Sequence, residues 1–390
     1  MLTPFSQDKA ATALCRRIEE FFDGGRCFLL AKGRVALYVG LMAQGLPPGG
    51  KVLIPGYTCV VVPDAVQHAG LKPLYIDIDP HTYNLDPKLL DRVPAGDLAA
   101  VVVQHTYGIP AAMQPIAAWA SSHSLPIIED CCHTFGARAE GRLCGTFGAF
   151  AFMSGQWNKF FSTGLGGMLL VHEPALADRV DEIIRAEATS PGRWQNLRLE
   201  AQILAYRLLA RPGLVPSITK WYRRLNRLGL TVGSSAEWVP GEMPPDYVAT
   251  LAPCQVRQGL LGLDNIEENI RCRMEWTAWY HRELPLLGFA VSPAIDPGGM
   301  PLLRYPLRVA NKSETLSLAA KEGVEIGSWF ESPLHPAETP RDKFGYRHGM
   351  CPLAEGAAAT VINLPTHAKV GLREAERTLA FLRRCARPPE

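Results

Sequence analysis

One lysine of the chain lies in a setting that suits imine chemistry. Lys159 ends the segment 154–159, Ser-Gly-Gln-Trp-Asn-Lys, and a glycine-rich turn ends at Gly166-Gly167. An amine that attacks a carbonyl must lose its proton near neutral pH, and burial and positive neighbours allow this by lowering its pKa. Glycines let the backbone approach a flat cofactor closely. Taken alone, the segment also fits a surface lysine that precedes a loop.

A carboxylate ends a short apolar run elsewhere in the chain. Ile127-Ile128-Glu129-Asp130 predicts a strand that finishes in an acid, and His133 follows three residues later. An acid at the carboxyl end of a parallel strand points into the ligand crevice. Such a carboxylate suits the pyridine nitrogen of pyridoxal phosphate (PLP), whose ring is the better electron sink when it is protonated. The alternative is an aspartate that caps the next helix.

A third segment could bind an anion. Gly33-Arg34 follows the apolar run 28–31, so the glycine is predicted to open a helix. The first N–H groups of a helix have no partner within it and can bind a phosphate. This pattern is common, and it gains meaning only beside the other two segments.

The elements that must position these residues can be read from short apolar runs between residues 26 and 175. The runs are apolar on both faces, which predicts strands buried between helices, and helix-like segments at 61–69 and 113–122 separate them. This alternation predicts an α/β fold with a mostly parallel sheet. We expect a large domain over residues 1–245, with a helical insertion at 186–245. A long linking helix at 255–285 and a small α+β domain complete residues 246–390. The predicted strands lie at 51–55, 73–78, 99–104, 126–129, 148–153 and 168–172.

Composition excludes several classes of protein. The chain has 390 residues and a net charge of +2, so it lacks the basic excess of a nucleic-acid-binding domain. Charges throughout residues 1–22 argue against a signal peptide, and no long apolar window predicts a spanning helix. The ten cysteines lack the paired spacing of a disulfide framework or a zinc ribbon. We therefore expect reduced thiols, no metal centre and a cytoplasmic protein.

The order and spacing of the motifs closely resemble the DegT/DnrJ/EryC1/StrS family of sugar aminotransferases, which are fold-type I PLP enzymes. The resemblance is close over residues 30–180 and looser over 245–390. The segments that carry it are Lys51–Cys59, Asp77–Asp86, His105–Gly108, Ile128–His133, Ser154 with Lys159, Gly166-Gly167, Cys351–Glu355 and Asn363–His367.

The resemblance implies a catalytic role for three residues. Lys159 would hold PLP as a Schiff base and would later move a proton between the substrate carbon and the cofactor. Asp130 would pair with the pyridine nitrogen, and His133 would reach the ring oxygen or its immediate surroundings.

The same resemblance implies a phosphate site made by Ser154 and by the backbone at Gly33 and Arg34. Val248 and Thr250 stand where the family places an asparagine and an arginine that reach the neighbouring subunit's site. Arg34 stands where the family commonly has a small hydroxyl residue, and its guanidinium could grip a phosphate in their place. The alternative is that Arg34 points to solvent or pairs with an acid.

A further departure concerns the face of the cofactor ring. The family often places a Trp or Phe where Cys59 stands, and a cysteine cannot stack. Tyr57 or another ring could substitute, or the sulfur of Cys59 could contact the ring directly.

The segment 186–245 looks longer and more basic than its counterpart in the family. Leucines and arginines interleave over about residues 193–230, with prolines at 212 and 216 that predict two helices. Basic amphipathic helices can lie on a membrane surface. The alternative is a helix pair that packs on a dimer partner.

By resemblance, the protein is expected to be a homodimeric aminotransferase. It would move an amino group, from glutamate, to a nucleotide-linked keto-sugar in amino sugar biosynthesis for a surface polysaccharide or secondary metabolite. A PLP-dependent sugar dehydratase is one alternative, but family dehydratases typically carry histidine where Lys159 stands. A non-catalytic regulator or membrane-surface binding protein on the same scaffold is the other, and it would not need Lys159 and Asp130.

Overall fold

The computed structural model describes residues 8–94, 96–209, 243–244 and 246–389. Its first helix shows how local sequence sets an element boundary. Asp8 accepts hydrogen bonds from the backbone of Ala10 and Ala11, and the buried residues behind this cap include Leu14 and Ile18, four residues apart on one face. The helices are α1 (Lys9–Phe21), α2 (Gly33–Gln44), α3 (Val61–His68), α4 (Met113–Ser122), α5 (Pro174–Glu187), α6 (Arg193–Leu209), α7 (Pro253–Leu263), α8 (Ile266–Glu283), α9 (Lys312–Glu322), α10 (Pro352–Thr360) and α11 (Leu372–Cys385).

The strands form one large sheet and three small pairs among the described residues. They are β1 (Arg26–Leu30), β2 (Lys51–Pro55), β3 (Thr58–Cys59), β4 (Lys72–Ile76), β5 (Leu98–Gln104), β6 (Ile127–Asp130), β7 (Arg138–Ala139), β8 (Arg142–Leu143), β9 (Phe150–Ser154), β10 (Gly167–Val171), β11 (Arg304–Arg308), β12 (Leu334–His335) and β13 (Val361–Pro365). The large sheet has seven strands in the order β1-β10-β9-β6-β5-β2-β4. Strands β9, β6, β5, β2 and β4 run parallel, whereas β10 and β1 are antiparallel to their neighbours. The α/β fold with a mostly parallel sheet is confirmed.

The large sheet is buried on both faces, as its apolar runs predict. Successive side chains of a strand point to opposite faces. Leu29, Val101 and Met153 share a core with α1 and α4. Their chain neighbours Leu30 and Val102 belong to the core under α2, α3 and α5. The middle of each strand is therefore apolar on both faces, and polar side chains lie at the strand ends.

The region after residue 253 differs from the expectation in one respect. The predicted long helix over 255–285 is two helices, α7 and α8, separated at Asp264 and Asn265. Aspartate and asparagine compete with the helical backbone for hydrogen bonds, so they favour helix ends over helix interiors. Here Asp264 also pairs with Arg17 of α1 at 2.5 Å. Beyond α8, the antiparallel pair β11–β13 anchors a second core. The division into domains at residue 245 stays a prediction.

The predicted insertion at 186–245 contributes α6, and its residues 210–242 and 245 lie outside the described residues. Leu199 and Ile203 of α6 pack against Leu165, Ala252 and Cys254. The opposite side leaves apolar side chains exposed: Trp194, Leu197, Leu204 and Leu208. No helix in the described part of the chain is both long enough and apolar enough to cross a membrane. Membrane contact through 193–230 stays a prediction.

Candidate active site

The sheet register brings the predicted segments to one edge. Gln104 pairs with Asp130 at the carboxyl ends of β5 and β6. Ser154, the last residue of β9, pairs with Gly167 at the start of β10, and Gly167 also pairs with Leu30 at the end of β1. In open α/β sheets, ligands bind beyond the carboxyl ends of the parallel strands. This edge is therefore the place where a ligand is expected.

Close backbone packing at the start of α2 forms a cradle at this edge. A Cβ on Gly33 would lie 3.5 Å from the Ser154 Cβ and 3.6 Å from the Cys132 Sγ. A Cβ on Gly167 would lie 2.6 Å from the Gly33 nitrogen and closer still to the Lys32 carbonyl. Only glycine fits at position 167, because backbone atoms occupy the space that any side chain would need. The N-terminus of α2 thus sits directly against the ends of β9 and β10.

Arg34 follows Gly33 and points inward. Its side chain is 9% exposed, and its Nη1 lies 3.9 Å from Oδ2 of Asp64. The positive charge of Arg34 also lowers the pKa of Cys59, although burial raises that pKa overall. Arg34 is therefore an interior cation near the cradle. The alternative that it points to solvent is wrong, and it does lie beside an acid.

The amine of Lys159 stands over an aromatic ring at the same edge. Its Nζ lies 4.8 Å from the centre of the Trp329 ring. Burial lowers the pKa of Lys159 and the charge of Arg304 adds to this, while Cys132, Asp130 and Cys59 oppose it. A lowered pKa increases the fraction of unprotonated amine, which is the reactive form. Lys159 is therefore not an exposed surface lysine.

Asp130 is a buried carboxylate, 4% exposed. Its Oδ1 accepts a hydrogen bond of 2.9 Å from the backbone N–H of Cys132. Burial raises the pKa of Asp130, and the Cys132 N–H and the charge of Lys159 only partly offset this. No described helix begins near residue 130, so the alternative of a helix cap is wrong. A buried acid with a raised pKa is suited to bind a group that carries a positive N–H.

His133 is held in a defined tautomer. Its Nδ1 accepts a hydrogen bond of 3.3 Å from the backbone N–H of Tyr107. Burial lowers the pKa of His133 well below its usual value, and the nearby charges of Lys159 and Arg304 lower it further. The neutral ring therefore carries its proton on Nε2 and can donate one hydrogen bond there. Its ring stacks on Trp329 at 5.1 Å and 8°.

Cys59 lies at the site, but Tyr57 does not replace the missing aromatic ring. Burial raises the pKa of Cys59, and the charges of Lys159 and Asp130 also act on its thiol, so Cys59 lies within electrostatic range of both. The Tyr57 hydroxyl shares a hydrogen bond of 2.7 Å with Tyr107, and its ring packs at 5.0 Å against Phe330. Tyr57 is thus used within the core.

Trp329 was missed by the sequence analysis, although it contacts both Lys159 and His133. It belongs to the segment between α9 and β12, where a Trp-Phe pair precedes Glu331. Two adjacent aromatic residues in a short connection between elements were the available signal. Their meaning depended on where the connection folds, which local sequence does not specify.

A buried polar cluster surrounds Glu129 of β6, the residue before Asp130. His105, Glu129 and Cys131 offer ligand atoms within 4.8 Å of one another. Glu129 already accepts hydrogen bonds from the backbone of Gly145 (2.7 Å) and Phe147 (2.6 Å), and it contacts His105 Nε2 at 3.2 Å. These bonds satisfy the carboxylate without a metal ion. The cluster therefore fixes the strand that carries Asp130.

Solved structures with this architecture define the class of fold. The fold matches that of a DegT DnrJ EryC1 StrS aminotransferase from Brucella abortus, with a TM-score of 0.75 at 20% identity over 97% of this chain and 90% of that chain. It also matches ntda from Bacillus subtilis, solved with bound cofactor PMP, with a TM-score of 0.66 at 20% identity over 94% and 76%. The protein has the fold of these aminotransferases.

Sequence comparison identifies the family. The model of the DegT/DnrJ/EryC1/StrS aminotransferase family matches residues 5–210 and 216–383. The chain therefore belongs to the DegT/DnrJ/EryC1/StrS aminotransferase family, whose aminotransferases depend on PLP.

Relatives of known activity match over different lengths. The L-glutamine:2-deoxy-scyllo-inosose aminotransferase of Micromonospora echinospora is 37% identical over 164 residues, which is 42% of this chain and 39% of that protein. The UDP-2-acetamido-2-deoxy-3-oxo-D-glucuronate aminotransferase of Pseudomonas aeruginosa is 27% identical over 363 residues, 91% of this chain and 85% of that protein. The first match thus spans less than half of the relative, and the second spans most of it.

Proposed function

We propose that the protein is a PLP-dependent aminotransferase that moves an amino group from glutamate to a nucleotide-linked keto-sugar. The product would be an amino sugar for a surface polysaccharide or a secondary metabolite. The observation that carries this proposal is the pair of Lys159 and Asp130 at one sheet edge, an amine of lowered pKa near a buried acid. The Pseudomonas relative, named for a nucleotide-linked keto-sugar acid, supports the substrate class.

The residues at the edge fit PLP. Asp130 is buried with a raised pKa, so a protonated ring nitrogen would supply the positive partner that it lacks. The absence of a side chain on Gly33 leaves space between α2 and Ser154 at a helix N-terminus, where a phosphate is stabilised. When bound, PLP supplies an aldehyde that joins to an amine and a ring that withdraws electrons from the attached carbon.

Three residues of the chain would then have separate roles in the reaction. The unprotonated amine of Lys159 would hold the cofactor and would move a proton at the substrate carbon. His133 would offer its Nε2–H to the ring oxygen, because its Nδ1 already accepts from Tyr107. Asp130 would pair with the protonated ring nitrogen.

A second group of residues would hold the phosphate and cover the ring. The backbone N–H groups at Gly33 and Arg34, together with Ser154 and the Arg34 guanidinium, would bind the phosphate. Cys59 would contact the ring through its sulfur, since the charges of Lys159 and Asp130 both act on its thiol.

The test uses the two half-reactions separately. Purified protein with PLP is mixed with L-glutamate, and the spectrum is followed for conversion of the aldehyde form of the cofactor to its amine form. L-Glutamine, the donor named for the Micromonospora relative, serves as the second donor. The amine form is then offered a panel of nucleotide-linked keto-sugars, and one of them is expected to restore the aldehyde form. If neither donor converts the cofactor, the proposal is wrong.

A further inference from the structure

An arginine that the proposed chemistry does not use lies at the site. Arg304, the first residue of β11, places its Cζ 4.9 Å from the centre of the Trp329 ring, over which Lys159 also lies. Its Nε is inaccessible to solvent and has no hydrogen-bond partner among the residues that the structure describes. Burial lowers the pKa of Arg304, and the charge of Glu325 opposes this change. An interior guanidinium nitrogen without an acceptor is costly unless a ligand satisfies it.

A second unsatisfied side chain faces the same space. Asn363 on β13 is 0% exposed, and within the described ranges neither its Oδ1 nor its Nδ2 makes a well-formed hydrogen bond. Its amide does lie near the Tyr107 hydroxyl, whose pKa burial raises and the amide acts to lower. Its backbone is paired with Gly327 by bonds of 2.8 and 2.9 Å. A Cβ on Gly327 would lie 2.9 Å from Nη1 of Arg304 and 3.2 Å from Oδ1 of Asn363. Arg304 and Asn363 therefore both pack against Gly327, and only a glycine at this position lets the two side chains come so close.

The charges around this space favour an anion. Arg304 is positive, and its charge adds to burial in lowering the pKa of Lys159 and of His133. The nearby acid Glu325 is already paired with His367 at 3.0 Å. An anion beside Arg304 would therefore be attracted by a buried positive charge.

We propose that Arg304 and Asn363 form a carboxylate-binding subsite beside Lys159. The planar guanidinium presents N–H groups in a fork that matches the two oxygens of a carboxylate, and Nδ2 of Asn363 adds a further donor. The inference rests on the proposed function in one respect: the carboxylate would belong either to the amino donor or to an acidic keto-sugar. In both cases it would fix the reacting carbon near the Lys159 amine.

The test measures binding without turnover. The full chain loaded with PLP is titrated by calorimetry with glutarate, which has the carboxylates of an amino donor without its amine, and with D-glucuronate, a sugar acid. Glutaramide, the uncharged analogue of glutarate, is the ligand control. Arg304→Met is compared with Arg304→Lys, which keeps the charge, and with Arg308→Met on the same strand. Arg308 is the matched control because it donates instead to the Pro80 carbonyl at 3.2 Å.

We expect Arg304→Met to weaken binding of one acid by roughly 10- to 150-fold, the range for one charged hydrogen bond. Arg304→Lys should recover part of the loss, and Arg308→Met should stay within about threefold of the parent protein. If Arg304→Met weakens the binding of glutarate alone, the subsite binds the amino donor. If it weakens the binding of D-glucuronate alone, the subsite binds the sugar. No saturable binding of either acid, or binding that is insensitive to Arg304, would overturn the proposal.

A second variant tests the subsite in case Arg304→Met fails to fold. Asn363→Asp keeps the shape of the side chain and adds a negative charge, so it should weaken the binding of a carboxylate by more than about tenfold. The variant should retain the circular dichroism and the cofactor spectrum of the parent protein. If Asn363→Asp binds the acids as the parent does, the subsite is not there. Glutarate binding needs no transfer of an amino group. The binding test therefore gives an answer even if the protein turns out not to be an aminotransferase.

Discussion

Lys159 and Lys312 share a lowered pKa but differ in what their amines contact. The pKa of Lys312 is lowered to about 8 by burial, and its Nζ donates to the carbonyls of Phe330 (2.9 Å) and Ala358 (2.7 Å). The Nζ of Lys159 instead faces the Trp329 ring near Asp130. A low pKa makes an amine reactive only when nothing else holds it. Geometry therefore selects Lys159 for imine chemistry.

Lys159→Ala should abolish the visible absorbance band that forms when the cofactor aldehyde joins to a lysine. Borohydride reduction of the parent protein with PLP, followed by peptide mapping, should place the label on Lys159. Lys312 is the internal control, since its amine is tied to two carbonyls. A label on Lys312, or on any other lysine, would remove Lys159 from its role.

Asp130→Asn should separate stability from activity. Burial raises the folded pKa of Asp130, so its stabilising contribution is present below about pH 3.9 and is lost as pH rises through the raised pKa. At pH 7 the cofactor-free variant should therefore melt at a higher temperature than the parent. With PLP, loss of a charged hydrogen bond should slow transfer by at least about tenfold. A variant that melts lower, or whose rate is within twofold of the parent, would contradict this role.

Arg34→Ala should weaken PLP binding by roughly 10- to 150-fold, because a charged hydrogen bond to the phosphate is lost. Arg34→Lys, which retains the charge near Asp64, should lose less. Titration of PLP into cofactor-free protein gives the dissociation constants. If Arg34→Ala stays within about threefold of the parent, Arg34 is not a phosphate ligand.

At the scale of elements, the junction of α2 with β10 sets the position of the cradle that is proposed to bind the phosphate. The Lys32 carbonyl and the Gly33 nitrogen lie against Gly167, so the helix begins where the strand begins. Any widening of this junction would move the N–H groups of α2 away from Ser154. Backbone packing therefore determines the shape of the proposed site as much as side chains do.

Gly167→Ala should lower the free energy of unfolding by about 1–3 kcal/mol, the cost of overpacking, and should weaken PLP binding as α2 shifts. Gly356→Ala is the matched control, since a Cβ at this position in α10 meets nothing within 4 Å. It should stabilise the protein by about 0.5–1 kcal/mol, because alanine is the better helix former. Urea unfolding and PLP titration measure both effects. Equal stability of the two variants would refute the tight junction.

At the scale of the whole molecule, the sequence predicts individual strands, but it does not predict which distant segments pack together. The strands that end in Asp130 and Ser154 follow from apolar runs, and their meeting follows from the rule for parallel sheets. Trp329 and Arg304 reach the same place from the C-terminal part of the chain. No period or motif indicates which connection folds over a sheet edge, because that depends on tertiary packing. The break at Asp264 and Asn265 was not predicted either, although both residue types favour helix ends.

Sedimentation should give twice the chain mass of 42.7 kDa at micromolar concentration, since the family resemblance predicts a homodimer with each site near the subunit interface. The measurement is made with and without PLP, so that any dependence on the cofactor is seen. A fully active protein that sediments as a monomer would contradict the prediction.

The cradle has a consequence for the order of events during synthesis. Its walls come from Gly33, Cys132 and Ser154, and β10 must lie between β1 and β9 before they meet. Contacts between residues so distant in sequence form slowly, because a long loop must close before any contact rewards it. A nascent chain that still holds β10 inside the ribosome thus has α2 without Gly167, against which the proposed phosphate site is built. If that site binds the cofactor as proposed, capture must wait until β10 emerges, so the cofactor could stabilise the finished sheet but could not guide the first half of its folding.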